Sequence, residues 1–213
     1  STIIDKKYFA DFVKILEFLH SFPEALSISD KFPFGIDMDL LERALILKEV
    51  NGPLSDILQV FLSTIFSLQI EERNEIRIEY RMNGDAPLNH SKIDLMRNAS
   101  RVNKWIYKHY NLRVNMLVMD SSTLSELLRL HFLCSGALLS DHSSKARFQA
   151  RGGYRSMDDP GLMLLTKHPH IMKFLTQYSV FQLPTRDIIR IATCLIDQIL
   201  TYSNLRDIVE ERI

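Results

Sequence analysis

With only two cysteines, Cys134 and Cys194, in its 213 residues, this chain has no means of building a four-thiolate zinc finger. Each cysteine lies within an apolar helical pattern, which reads as a buried thiol in a reducing compartment rather than half of a disulfide. The motifs that place reactive groups are missing as well. There is no G-x-S-x-G elbow, no G-x-x-x-x-G-K-S/T loop, no G-x-G-x-x-G and no H-E-x-x-H. Serine-hydrolase, phosphate-loop, dinucleotide and zincin chemistries therefore have no footing, and the chain is not itself a motor ATPase. No uninterrupted apolar run reaches the roughly 18 residues that span a bilayer, and the first residues lack a basic-then-apolar leader pattern. Neither a membrane nor secretion is expected, and there is no repeat or low-complexity tract.

A hydrophobic content of 46% is enough to fill the core of one large domain or two small ones. The formal net charge is zero, but that neutrality hides a dipole. Residues 1–90 carry nine Lys or Arg against fifteen Asp or Glu, a balance of −6, whereas residues 91–213 carry seventeen against eleven, a balance of +6. A basic half can neutralise phosphate, and an acidic half suits a protein partner or a basic peptide.

The spacing predicts an all-α protein. Phe9, Phe12, Val13, Leu16, Leu19 and Phe22 recur at three and four, giving an amphipathic helix that ends before Pro23. A second helix starts at the cap Asp37 and carries Leu40, Leu41, Ala44, Leu45 and Leu47. A third follows Gly52, with Pro53 in its first turn. From Glu71 to Met82 the pattern fits a strand or an extended third helix, and we take helix. Asn83-Gly84-Asp85 with Pro87 is the clearest turn, so the expected division is 6–82, a connector at 83–90, and 91–213. The two parts are expected to dock, because three short helices are marginal alone. Beyond the turn we expect a helix capped by Ser91, one short β element around Leu112–Val118, and a helix capped by Thr123 with Glu126 in the S/T-x-x-E arrangement. Residues 140–160 read as a surface loop, followed by helices from about Gly161 and Pro169, a long one capped by Thr185, and a last one opening at Asn204.

The sharpest chemical signal lies on the helix after Ser91. At about 100° per residue, Arg97, Arg101, Lys104 and Lys108 fall within roughly 60° of one another, opposite Leu95, Ala99, Val102, Ile106 and Tyr110. Four cations one turn apart can track a phosphate backbone and release its counterions, which is the source of sequence-independent DNA affinity. A solvated helix face is the plainer reading, but such faces usually mix signs. The loop adds Lys145, Arg147, Arg151 and Arg155 around Gly152-Gly153 as a second DNA-binding cluster. Lys167, His168, His170, Lys173, Arg186 and Arg190 contribute lesser positive density. His168-Pro-His170 has no third ligand at metal-site spacing, and no cofactor is expected. Asp158-Asp159 reads as a helix start rather than an acid/base pair. Trp105, Tyr107 and Tyr110 beside the ridge suit base stacking or, in preference, partial burial. Asp30, Asp37, Asp39 and Glu42 are the acidic candidates for a protein contact.

Two blocks also carry a resemblance. STLSELLRLHFLCSGA from Ser122 to Ala137 resembles the first WHIM motif of accessory subunits of ISWI-type nucleosome remodellers, which reads Leu-Thr-x-x-Glu-Leu-Leu-Arg-Leu-His. Upstream, FADFVKILEFLHSFPEAL from Phe9, DLLERALI from Asp39 and GPLSDILQVFLSTIFSL from Gly52 together resemble a DDT domain. DDT before WHIM is the order in the large subunit of the ATP-utilising chromatin assembly factor and its bromodomain-adjacent-to-zinc-finger relatives. The second WHIM motif is not present. The resemblance implies a nuclear, non-catalytic accessory module that contacts an ISWI ATPase, histones and linker DNA and supports nucleosome spacing. A protein-interaction scaffold that binds acidic histone-tail, chaperone or autoinhibitory segments without touching DNA is the alternative reading.

Overall fold

The computed structural model describes residues 5–24, 26–75, 90–135 and 158–203, without the side chains of 71–75, 90–94 and 96. Among these residues there are nine α-helices and no strand: α1 (Phe9–Ser21), α2 (Ile28–Lys31), α3 (Met38–Leu47), α4 (Pro53–Glu75), α5 (His90–Tyr110), α6 (Leu124–Leu133), α7 (Pro160–Lys167), α8 (Pro169–Leu175) and α9 (Thr185–Tyr202). The expected starts at Asp37 and Pro53 are found. Asp37 Oδ1 accepts the Leu40 amide at 2.7 Å, satisfying one orphan donor of the first turn of α3.

α4 and α9 form the centre. The stripe Leu54, Ile57, Leu58, Phe61, Leu62, Ile65 and Phe66 of α4 is buried throughout, as are Ile188, Ile191, Ala192, Leu195, Ile196 and Ile199 of α9. α9 packs on α4, α7, α1 and α3, while α5 packs on α6, α7 and the turn at 114–116. One hydrophobic core runs from Phe12 to Tyr202, so the early helices and the later ones are buried against each other. Polar ties cross the same boundary. Lys14 meets Asp197 at 2.6 Å, Lys48 Nζ donates to the Leu183 carbonyl at 3.0 Å, and Thr185 Oγ1 donates to the Leu45 carbonyl at 3.1 Å. By length and composition Pro53–Ile70 could cross a membrane, yet its apolar face is spent on this core.

Several local expectations are corrected. Thr123 does not cap α6 with its side chain. Its hydroxyl instead turns back, accepting the Asp120 amide at 2.9 Å and donating to the Val118 carbonyl at 3.0 Å, while Asp120 fastens the turn that leads into α6, with Oδ1 accepting the Ser122 and Thr123 amides at 2.8 and 3.0 Å. The Ser122 hydroxyl above all, and then the Thr123 amide, hold the Asp120 carboxyl below its ordinary range. Glu126 is taken by Arg129, at 2.8 and 2.5 Å. Thr185 is the first residue of α9 rather than its cap, because its hydroxyl goes to α3. The β element is absent, since nothing lies alongside to pair with it. Val114–Met116 is a 3-10 turn that buries Val114 and Asn115 and leaves Leu112, Met116 and Val118 in solvent. The helix expected beyond Glu71 continues to Glu75. The rest of that segment, residues 83–89 of the connector, and the Asn204 helix lie outside the described residues.

A buried polar network fastens α6, α7 and α9. Asp159 caps α7, as its place before Pro160 suggests, accepting the Gly161 amide at 2.8 Å. It also accepts Gln198 Nε2 at 2.9 Å and the Tyr202 hydroxyl. Gln198 Oε1 lies 2.7 Å from His131 Nε2. With the Gln198 amide donors aimed at Asp159, its oxygen must accept, so His131 is the neutral tautomer carrying its proton on Nε2, and Nδ1 has no partner. Gly161 is required here, because a Cβ would stand 2.0 Å from Ser135 Oγ and 2.8 Å from Gln198 Nε2.

Burial pushes the His131 pKa down, outweighing the opposing pull of Gln198 and Asp159. The unfolded chain, with a histidine pKa of about 6.5, therefore takes up a proton that the folded one refuses. This contribution to stability is fully present above about pH 6.5 and is lost as pH falls below it. His168, lowered by desolvation first and Arg190 next, acts in the same sense. Urea midpoints should fall from pH 7.5 to pH 5.5, with a slope no steeper than about 1.4 kcal/mol per unit for each histidine. His131→Gln should flatten that dependence in part, and an unchanged slope would show that His131 does not contribute.

Candidate nucleic-acid interface

The core-facing side of α5 fixes its outer side. Ala99 and Ile106 are fully buried and Leu95 and Val102 half-buried, which turns Arg97, Arg101, Lys104 and Lys108 into solvent. At about 1.5 Å per residue the four cations span roughly 16 Å of one face, comparable to several phosphate steps of a duplex. None of them forms an ion pair among the described residues. Some cations elsewhere are matched, Lys14 with Asp197, Lys31 with Asp56, Arg129 with Glu126 and Arg190 with Asp187, while others such as Lys167, Lys173 and Arg186 are exposed, so what sets α5 apart is four cations in one row. A row of like charge with no acid paired to it among the described residues repels itself and is relieved by an anionic partner.

Aromatic rings flank the row. Trp105 lies on one side, tilted against His109 at 4.3 Å and edge-on to Tyr110 at 6.3 Å, and Tyr107 lies on the other. Trp105, Tyr107 and Tyr110 remain 45%, 56% and 49% exposed. Tyr110, placed by periodicity on the apolar face, is thus corrected to the surface, because the helix ends there beyond the reach of the core. Lys145, Arg147, Arg151 and Arg155 lie outside the described residues. Lys167, Lys173 and Arg186 are exposed on α7, α8 and α9. His170 Nε2 is bonded to Asp187 at 3.1 Å, and Asp187 also holds Arg190.

On the acidic side, Asp30, Asp37 and Asp39 are exposed and Glu42 is half-buried. Asp37 is committed to capping α3. Sequence reasoning passed over Phe34, the most exposed large apolar residue of those described. Its signal, an aromatic between Pro33 and Gly35, is also that of an ordinary turn.

Residues 7–68 match the DDT domain family. The chain is 33% identical over 219 residues to the human "Bromodomain adjacent to zinc finger domain protein 1A", and 33% identical over 220 residues to its mouse counterpart. Each match covers 99% of this chain and 14% of the relative, so the chain spans about one seventh of the curated relatives it matches. No solved structure matches it.

Proposed function

The chain carries a DDT domain and resembles, along nearly its whole length, one segment of bromodomain-adjacent-to-zinc-finger proteins, and from that premise we propose that it is a non-catalytic accessory module of a nuclear chromatin remodeller that holds duplex DNA on the α5 ridge. The observation that carries the DNA reading is the exposed row Arg97, Arg101, Lys104 and Lys108, with no acidic partner among the described residues. Backbone contacts of this kind suit linker DNA, whose sequence varies, and the loop cations Lys145, Arg147, Arg151 and Arg155, outside the described residues, are proposed as a second DNA-binding cluster. In this reading an ISWI-type ATPase or a basic histone surface meets the acidic side, around Asp30, Asp39 and Glu42, and DNA held by the module biases the motor toward evenly spaced nucleosomes.

Replacing all four ridge cations by Ala should leave the helical circular-dichroism signal intact. The slope of log affinity against log salt should become shallower by about 0.9 for each phosphate no longer neutralised, roughly 3.6 for four, and equally for unrelated duplexes. A variant that binds duplex as tightly as the parent at low salt would make the ridge a solvated face and leave the loop arginines as the site to test. The scaffold reading predicts a different outcome, in which a folded partner with an apolar centre binds with little salt dependence.

A further inference from the structure

Two exposed surfaces of this chain complement each other in charge and in apolar character. The first lies between α2 and α3. Phe34 is 101% exposed, yet the turn that carries it is fixed. Gly35 takes φ +77° and its amide donates to the Phe32 carbonyl at 2.9 Å, Ile36 is buried with its carbonyl bonded to His20, and Asp37 caps α3. An aromatic carried on a hydrogen-bonded turn loses little main-chain freedom on docking, which favours its use as an interface anchor. Met38 is exposed close by in sequence, and Asp30, Asp37 and Asp39 give this region an acidic character.

The second surface is the end of α5 and the stretch after it. Trp105, Tyr110, Met116 and Val118 are between 45% and 78% exposed, and Lys104 and Lys108 share that helix. The charge of the whole chain divides the same way, −6 before residue 91 and +6 after it.

We propose that the Phe34 knob of one copy docks on the Trp105–Val118 strip of another, so that the chain self-associates head to tail, and that duplex DNA dissolves the assembly by taking the cations beside the strip. The second clause rests on the DNA reading above; the first does not. An acidic apolar knob is repelled by DNA and by acidic proteins, whereas the strip offers it both apolar surface and opposite charge. Because each copy carries both patches, the contact closes if two copies engage each other reciprocally or a ring forms, and otherwise adds copies into open chains.

Sedimentation velocity of the full chain tests this at about 0.01 M salt, where charges are felt over about 30 Å, and at about 1 M, where they are felt over about 3 Å. The average mass should rise with protein concentration at low salt and return to that of a monomer at high salt. Phe34→Ser should stay monomeric while binding a short duplex as the parent does, and adding that duplex to the parent should restore the monomer. A parent that is monomeric at low salt, or a Phe34→Ser variant that associates like the parent, overturns the proposal. The ridge variant separates the two readings. If it is monomeric but binds duplex as tightly as the parent, the DNA reading fails and the head-to-tail contact stands; if it no longer binds duplex but still associates like the parent, the DNA reading stands and the contact beside the ridge is overturned.

Discussion

Leu128→Asp is expected to leave the chain without a cooperative thermal transition. Leu128 is fully buried at the middle of α6, a helix that touches α4, α5, α7 and α8, so the substitution strikes where most of the later helices converge. Removing the leucine costs about 3–5 kcal/mol in forfeited burial and cavity. The carboxylate then adds several kcal/mol more, because a buried charge must be paired or neutralised. The sum reaches the 5–15 kcal/mol that typically separates folded from unfolded domains. Far-ultraviolet circular dichroism with dye binding would read the loss. Leu128→Ala, which adds no charge, should stay folded with stability reduced by about 3–4 kcal/mol. An Asp variant that melts like the parent would mean that this face of α6 is open to solvent, and would turn the segment resembling WHIM into a docking surface.

Helix existence was legible in the sequence because burial dictates it. The stripes at three and four in α1, α3, α4 and α9 require a neighbour, and their mutual packing follows from apolar area alone. The same logic made the α5 ridge readable, since a core side defined by Ala99 and Ile106 leaves only one place for the four cations. The details that failed depend on contacts distant in sequence or on competition between neighbours. Thr123 satisfies the rule for a cap, but its hydroxyl is drawn back into the preceding turn by the Asp120 amide and the Val118 carbonyl. Thr185 is diverted to a carbonyl 140 residues away. The alternation from Leu112 to Val118 is a strand pattern without a partner strand. Phe34 was invisible for the opposite reason, because periodicity locates what is buried and has nothing to say about an aromatic that stays outside.

Asp159→Ala should be among the most damaging changes that leave the apolar core intact. Periodicity identified Asp159 only as a helix start, yet it accepts three donors within a site that is 2% exposed. Alanine removes the cap, worth about 1 kcal/mol. It also takes the carboxylate acceptor from the Gln198 amide and the Tyr202 hydroxyl, and each buried donor that loses its acceptor costs about 1–3 kcal/mol. A loss on the order of 3–7 kcal/mol follows, read as a shift in the urea midpoint with little change in slope. Tyr202→Phe removes one donor and leaves the carboxylate those of Gly161 and Gln198, so it should cost only about 1–2 kcal/mol. The pair should be far from additive, because both changes remove the same Asp159–Tyr202 hydrogen bond, which can be lost only once. If Asp159→Ala costs no more than an ordinary cap, water must reach the carboxylate site, and the buried network would not be what holds α7 against α9.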